Sequence, residues 1–147
     1  MFLELKKEQK KRLFDLNEEG YLFNWCLNSS PTSQTIAKIV NDEIAGLIEF
    51  ERQPHNLLNF IHLIEVAKKY RGKAIAGKLL AFVGKDALAQ GFDGFMLLES
   101  KTSTYKLYQL KYGAKPVRGM FLQFDTNATL ALIEKYLGGG DDEPVEL

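Results

Sequence analysis

The sequence predicts a mixed α/β (α+β) domain: a central, mostly antiparallel sheet with one parallel strand–helix–strand unit splaying from it, flanked by helices. Three observations carry this expectation. Apolar runs at residues 35–40 and 44–50 are separated only by Asn41-Asp42-Glu43, which reads as a β-hairpin. A nearly continuous apolar run at 57–66 passes through a short basic turn into helical periodicity over 74–90, then into a second apolar run at 92–99. The chain has 147 residues, 46% of them hydrophobic and 26% charged, values that suit one domain with a real core.

Each element has its own reason. Residues 2–5 read as a short edge strand. Residues 6–16 read as a helix with Gln9, Leu13 and Leu16 inward; Lys6, Lys7, Lys10, Lys11 and Arg12 form a solvated face, because glutamates interleave. Residues 21–27 are the candidate for a second helix, with Trp25 and Cys26 as core packing. Residues 28–33 are a loop by composition. After the hairpin, Gln53-Pro54-His55-Asn56 makes a turn. The strand at 57–66 lacks polar alternation and is expected to be covered on both faces. In the following helix Ile75, Leu79, Phe82, Val83 and Ala87 define the buried stripe, and Gly91 is the stop. A strand at 92–99 completes a crossover with parallel strands. A short helix at 102–112 halts at Gly113, residues 116–125 supply one or two strands, and 127–137 form a closing helix. Leu130, Ile133, Glu134 and Leu137 lie at helical spacing there, with Asn127 at the cap. The domain is expected to span 1–137, followed by a flexible acidic tail at 138–147.

Several function classes are excluded. The net charge of zero gives no overall field toward nucleic acid or an anionic membrane. A single cysteine allows neither an internal disulfide nor a cysteine-built zinc site, and it fits the reducing cytoplasm expected for this chain. No apolar run has the length of a signal peptide core or a membrane span. His55 and His62 have no partners at metal-ligand spacing, so no metal is expected. Neither a Gly-x-Ser-x-Gly nor a Gly-Lys-Ser/Thr signature is present.

The most informative segment is Val66-Ala67-Lys68-Lys69-Tyr70-Arg71-Gly72-Lys73-Ala74-Ile75-Ala76-Gly77-Lys78-Leu79-Leu80. It joins a strand to a helix through a basic, glycine-bearing turn. Helix N-termini present free N–H groups and partial positive charge, so this junction is an anion site suited to a pyrophosphate. The run from Tyr70 to Ala76, with Leu79-Leu80 after it, resembles the acetyl-CoA motif of the GNAT N-acetyltransferase superfamily, Gln/Arg-x-x-Gly-x-Gly/Ala. Arg71 fills its first position and Ala76 its last, while Ala74 stands where the family usually has glycine. A methyl group there crowds the approach of a pyrophosphate to the backbone.

The resemblance covers roughly residues 35–125 and implies a GNAT fold with acetyl-CoA as cosubstrate. It implies that Arg71, Gly72, Lys73, Ala74, Ile75 and Ala76 hold the pyrophosphate, with Lys78 in reach. It places Val66 at the thioester carbonyl through its backbone and Lys68 along the pantetheine arm. Leu107-Tyr108-Gln109-Leu110-Lys111-Tyr112-Gly113-Ala114 resembles the family segment whose tyrosine lies near the sulfur, which nominates Tyr108 as the proton donor; Tyr105 and Tyr112 are neighbours of the same type. Lys101 or Thr102 stands where the family often has asparagine. For the base, the sequence offers His62, Glu65 and Glu99. In a regular strand Glu65 faces away from His62, and a bulge reverses that. The activity so implied is direct transfer of acetyl to a primary amine on a small molecule or peptide, without an acyl-enzyme. Acceptor loops are expected at 27–35, at 52–58 and after Gly113. Homodimers are common in the family. The alternative is a module that keeps the fold without catalysis, sensing acyl-CoA or binding a protein. Ala74, the replaced asparagine and the undecided base point to it.

Overall fold

The computed structural model describes residues 1–6, 9 and 30–138, and the backbone of 144–146. The helices expected over 6–16 and 21–27, with Trp25 and Cys26, lie outside the described residues apart from Lys6 and Gln9. Among the described residues, eight strands form one sheet: β1 (Phe2–Leu5), β2 (Ser33–Val40), β3 (Glu43–Gln53), β4 (Leu58–Val66), β5 (Met96–Glu99), β6 (Lys115–Arg118), β7 (Phe121–Phe124) and β8 (Pro144–Glu146). Their spatial order is β6-β7-β5-β4-β3-β2-β1-β8. Of these strands, β4–β5 and β1–β8 run parallel and the other neighbours antiparallel. Among the described residues, three α-helices accompany the sheet: α1 (Ile75–Ala89), α2 (Tyr105–Tyr112) and α3 (Thr126–Leu137).

The predicted hairpin forms as β2 and β3. Asn41 and Asp42 take positive φ of 51° and 63° at its tip, a geometry these short polar residues tolerate. Elsewhere the structure departs from expectation in ways that have causes. β1 is not an edge, because Pro144–Glu146 pairs along its other side; part of the expected tail is therefore a strand. β5 begins at Met96 rather than at residue 92. Asp93 and Gly94 both carry positive φ there, and the Phe95 N–H bonds back to the Phe92 carbonyl at 3.1 Å, so that stretch is a turn. β4 is not covered on both faces, since Leu63, Ile64 and Val66 are only half-buried where a cleft opens beside them.

Helix α1 packs on the sheet with Ile75, Leu79, Leu80, Val83 and Ala87 buried. Phe82 is half-buried, its ring 4.9 Å from that of Phe2. Asp86 ties the helix to the strands: Arg52 donates to its carboxylate at 2.7 and 3.1 Å, and Asn59 at 3.0 Å. Gly91, at φ 83°, follows the helix as expected.

Helix α3 differs in register from its sequence reading. Asp125, not Asn127, is the cap, accepting from the Ala128 N–H at 2.9 Å. The buried stripe is Thr129, Leu132 and Tyr136; Ile133 and Leu137 pack half-buried against the core beside it, while Leu130 is exposed. The cause lies on α1, which offers two slots without side chains. A Cβ at Gly77 would sit 2.3 Å from Tyr136 Cζ, and one at Gly84 would sit 2.6 Å from Thr129 Cγ2. The larger residues of α3 fill these slots, and that fixes its rotation. Among the described residues, no helix is long and apolar enough to cross a membrane.

The Gly77 slot yields a test. Gly77→Ala should destabilise the fold by about 1–3 kcal/mol through overpacking against the Tyr136 ring. Urea unfolding monitored by tyrosine fluorescence reads this as a lower midpoint at unchanged slope.

Candidate active site

The parallel pair that should hold β4 and β5 together is short. Asn59 pairs with Met96, Phe60 with Leu97 and Ile61 with Leu98, and there it ends. Beyond it β4 runs on to Val66, bonded to β3 on one side only, while β5 stops at Glu99. The sheet therefore splits in its middle. The gap is a cleft of about 660 Å³, walled by β4 from Ile61 to Val66, by Leu98 to Lys101, and by Leu107, Tyr108 and Tyr112 of α2. Arg71 and Ala76 close it at the α1 end. A smaller hollow of about 280 Å³ near Leu57 and Phe92 contains none of the predicted site residues.

The basic turn sits at the mouth of the cleft. After Ala67 a single 3-10 turn, Lys68–Tyr70, takes the chain out of the strand, so Lys68 is exposed and does not line the cleft. Tyr70 anchors the turn. Its ring is buried, and its hydroxyl donates to Glu43 Oε2 at 3.0 Å and lies 3.2 Å from the Val40 carbonyl. Gly72 adopts φ 80° with nothing within 4 Å of where a Cβ would lie. Ala74 adopts φ 65° and heads α1, which has no side-chain cap. The first N–H groups of a helix have no intrahelical acceptor, so those at the start of α1 suit an anion. Arg71, Gly72 and Lys73 are exposed around them. The Ile75 side chain is buried against the α1 face of the sheet and leaves only its backbone for a ligand; Lys78 is half-buried one turn along. This donor set fits a pyrophosphate. The cost falls on Ala74, because the left-handed conformation is unfavourable for a residue with a Cβ.

The bulge that the sequence leaves open is present. Phe50 pairs with Ile61 and Glu49 with Leu63, so His62 is the extra residue in β4. Paired residues share a face of a sheet. Phe60, Leu63 and Glu65 therefore lie on the same face as Glu51, Glu49 and Leu47, opposite α1. His62 joins them: its Nε2 lies 3.0 Å from Glu51 Oε1, and its ring meets that of Phe60 edge-on at 4.9 Å. Both His62 and Glu65 line the cleft. Glu49 is fully buried, bonded by the Ser33 hydroxyl. Glu99 lines the cleft from an exposed position at the end of β5.

Tyr108 faces the cleft from α2, and burial, with a smaller contribution from Tyr112, pushes its phenol up to about 12. Tyr112 lines the cleft as well, whereas Tyr105 packs against the core and does not. Sequence reasoning missed Glu51 as the partner of His62. Its only sequence signal is the Glu49–Glu51 alternation in β3, which looks like a solvated edge until the register is known. Ser100 and Thr104 were missed as well; both line the cleft, their hydroxyls 3.0 Å apart.

Solved structures share this arrangement of strands and helices. A GNAT-family acetyltransferase from Staphylococcus aureus superposes with a TM-score of 0.62 at 17% identity, over 86% of this chain and 98% of that one. A ribosomal-protein alanine N-acetyltransferase from Escherichia coli gives 0.64 at 12% identity, over 84% and 90%. A Bacillus anthracis acetyltransferase, solved in complex with acetyl coenzyme A, gives 0.53 at 19% identity, over 65% and 62%. At these identities the likeness speaks to fold alone, and no curated protein sequence matches the chain. The acetyltransferase (GNAT) family itself matches residues 1–113, more than half the sequence, so this chain belongs to the GNAT acetyltransferase family.

Proposed function

We propose that this protein transfers an acetyl group from acetyl-CoA directly to a primary amine. The observation that carries this reading is the split between β4 and β5, with an uncapped helix N-terminus and a basic turn at its mouth and a protonated tyrosine inside. The turn from Arg71 to Ala76 would hold the pyrophosphate through backbone N–H groups, with Arg71 and Lys73 adding charge. The unpaired edge of β4 up to Val66 offers backbone donors along the cleft. Acetyl-CoA, once bound, supplies an electrophilic carbonyl and a sulfur leaving group. Tyr108 keeps its proton throughout the neutral range and so has one to donate in the cleft. In this reading both reactants are held in one site, so the transfer needs no side chain to carry the acetyl group.

A second reading is a binding module that holds acyl-CoA without turning it over. Ala74 favours it, because a residue with a Cβ is strained in the left-handed backbone that heads α1. Calorimetric titration with acetyl-CoA, followed by assay of propylamine, spermidine and trialanine as acceptors, separates the two. Binding with transfer to any of the three supports the enzyme, and tight binding without transfer to any amine supports the module.

Two variants probe the parts. Tyr108→Phe should lower kcat by about a hundredfold or more while the acetyl-CoA Kd holds; an unchanged kcat removes Tyr108 from the chemistry. Ala74→Gly exchanges a left-handed penalty of about 1–2 kcal/mol for the extra chain entropy of glycine, about 0.5–1 kcal/mol. The variant should be equally or more stable in urea and should bind acetyl-CoA more tightly. Weaker binding would show that the methyl group does not obstruct the site.

A further inference from the structure

We propose that Glu51 and His62 work as a carboxylate–imidazole pair that takes the proton from the acceptor's ammonium group. This rests on the transfer reading above and selects His62 over Glu65 and Glu99 as the base.

The geometry assigns each atom a part. Glu51 has both carboxylate oxygens engaged: Oε2 accepts from the Thr32 hydroxyl at 2.6 Å, and Oε1 faces His62 Nε2 at 3.0 Å. The Thr32 bond and the imidazole hold the Glu51 carboxyl down at about 2, so it is ionised in the neutral range and can only accept. Nε2 must then carry the ring proton, which leaves the lone pair on Nδ1. Among the described residues nothing else bonds to the imidazole, and His62 is a wall residue of the cleft. Phe60 fixes the ring plane from one side. The bulge is what makes the pairing, since it turns His62 onto the Glu51 face without removing it from the cleft.

The step balances. An N–H bond of the ammonium breaks, its electron pair stays on nitrogen, and the proton forms a new N–H bond at His62 Nδ1. The imidazolium is held against ionised Glu51 and returns its proton to water after the product leaves. The other titratable groups that line the cleft are Glu65 of β4, Arg71 of the turn, Glu99 and Lys101 beside β5, and Tyr108 and Tyr112 of α2, while Glu49 of β3 shares the sheet face of Glu51. Glu65 is buried and already has interactions of its own, and Glu99 is solvent-exposed. In this scheme His62 is the catalytic residue and Glu51 a positioning residue that acts through it.

A double-mutant cycle tests the pair, using whichever of propylamine, spermidine or trialanine wild-type protein acetylates fastest. His62→Gln should lower kcat by about a hundredfold. Glu51→Val, which keeps strand preference while removing both oxygens, should lower it about tenfold or more, and Glu51→Gln provides a second, nearly isosteric variant. The acetyl-CoA Kd should hold in each. In the His62→Gln background, Glu51→Val should cost nothing further, because a group acting only through the imidazole has nothing left to position. Costs that multiply, or a His62→Gln enzyme at the wild-type rate, would overturn the pair while leaving acetyl transfer intact. A wild-type protein that binds acetyl-CoA and acetylates no amine would overturn the transfer reading, and the pair's role with it.

Discussion

The structure depends on a sheet that comes apart in its middle. A strand inside a sheet normally has both edges hydrogen-bonded, and an open edge is tolerated only where something else can engage it. Here β4 keeps β5 for three registered pairs and then continues beyond Ile61 with β3 on its other side alone. The split sets the volume and walls of the cleft and leaves donor groups along one side of it. It also lets chemistry from the two faces of the sheet meet, which an intact sheet would prevent.

The two faces are differently equipped. On one, α1 is held at several points: by Asp86 to Arg52 and Asn59, by Gly77 to Tyr136, and by Gly84 to Thr129. Fixing the helix in this way fixes where its N-terminus points, and the basic turn inherits that position. On the other face, a single extra residue in β4 gathers His62, Glu65, Glu49 and Glu51. Neither arrangement needs a long-range charge, which agrees with a chain of zero net charge whose polar groups act at bonding distance.

Much of this was legible in the sequence. The hairpin, the strand–turn–helix unit and the short helix halted at Gly113 follow from period and turn chemistry that act locally. The turn motif was legible because a tight strand-to-helix turn constrains residue size, and size shows in sequence. Three matters were not legible. The rotation of α3 is set by gaps on another helix, so Leu130 looks inward by periodicity yet points out. The place where β4 and β5 part is a pairing property with no residue signature. The Glu51–His62 bond joins positions 11 apart across a bulge, and a one-residue slip in register would separate them. Ala74 is an intermediate case: the departure from glycine is visible in the sequence, but its left-handed backbone is visible only in the structure.

The latch around Tyr70 bears on how the site responds to salt. The sequence shows four cations in the turn: Lys68, Lys69, Arg71 and Lys73. Lys69 is committed elsewhere, its Nζ 2.6 Å from a Glu43 oxygen, and Tyr70 donates to the same carboxylate. Glu43 thereby cancels one positive charge at the mouth of the cleft while bracing the turn against the β2–β3 hairpin. Screening acts on the net local field, so ionic strength should weaken the anion binding proposed for this turn less steeply than a count of basic residues suggests. The hairpin tip thus moderates the electrostatics of the turn it braces.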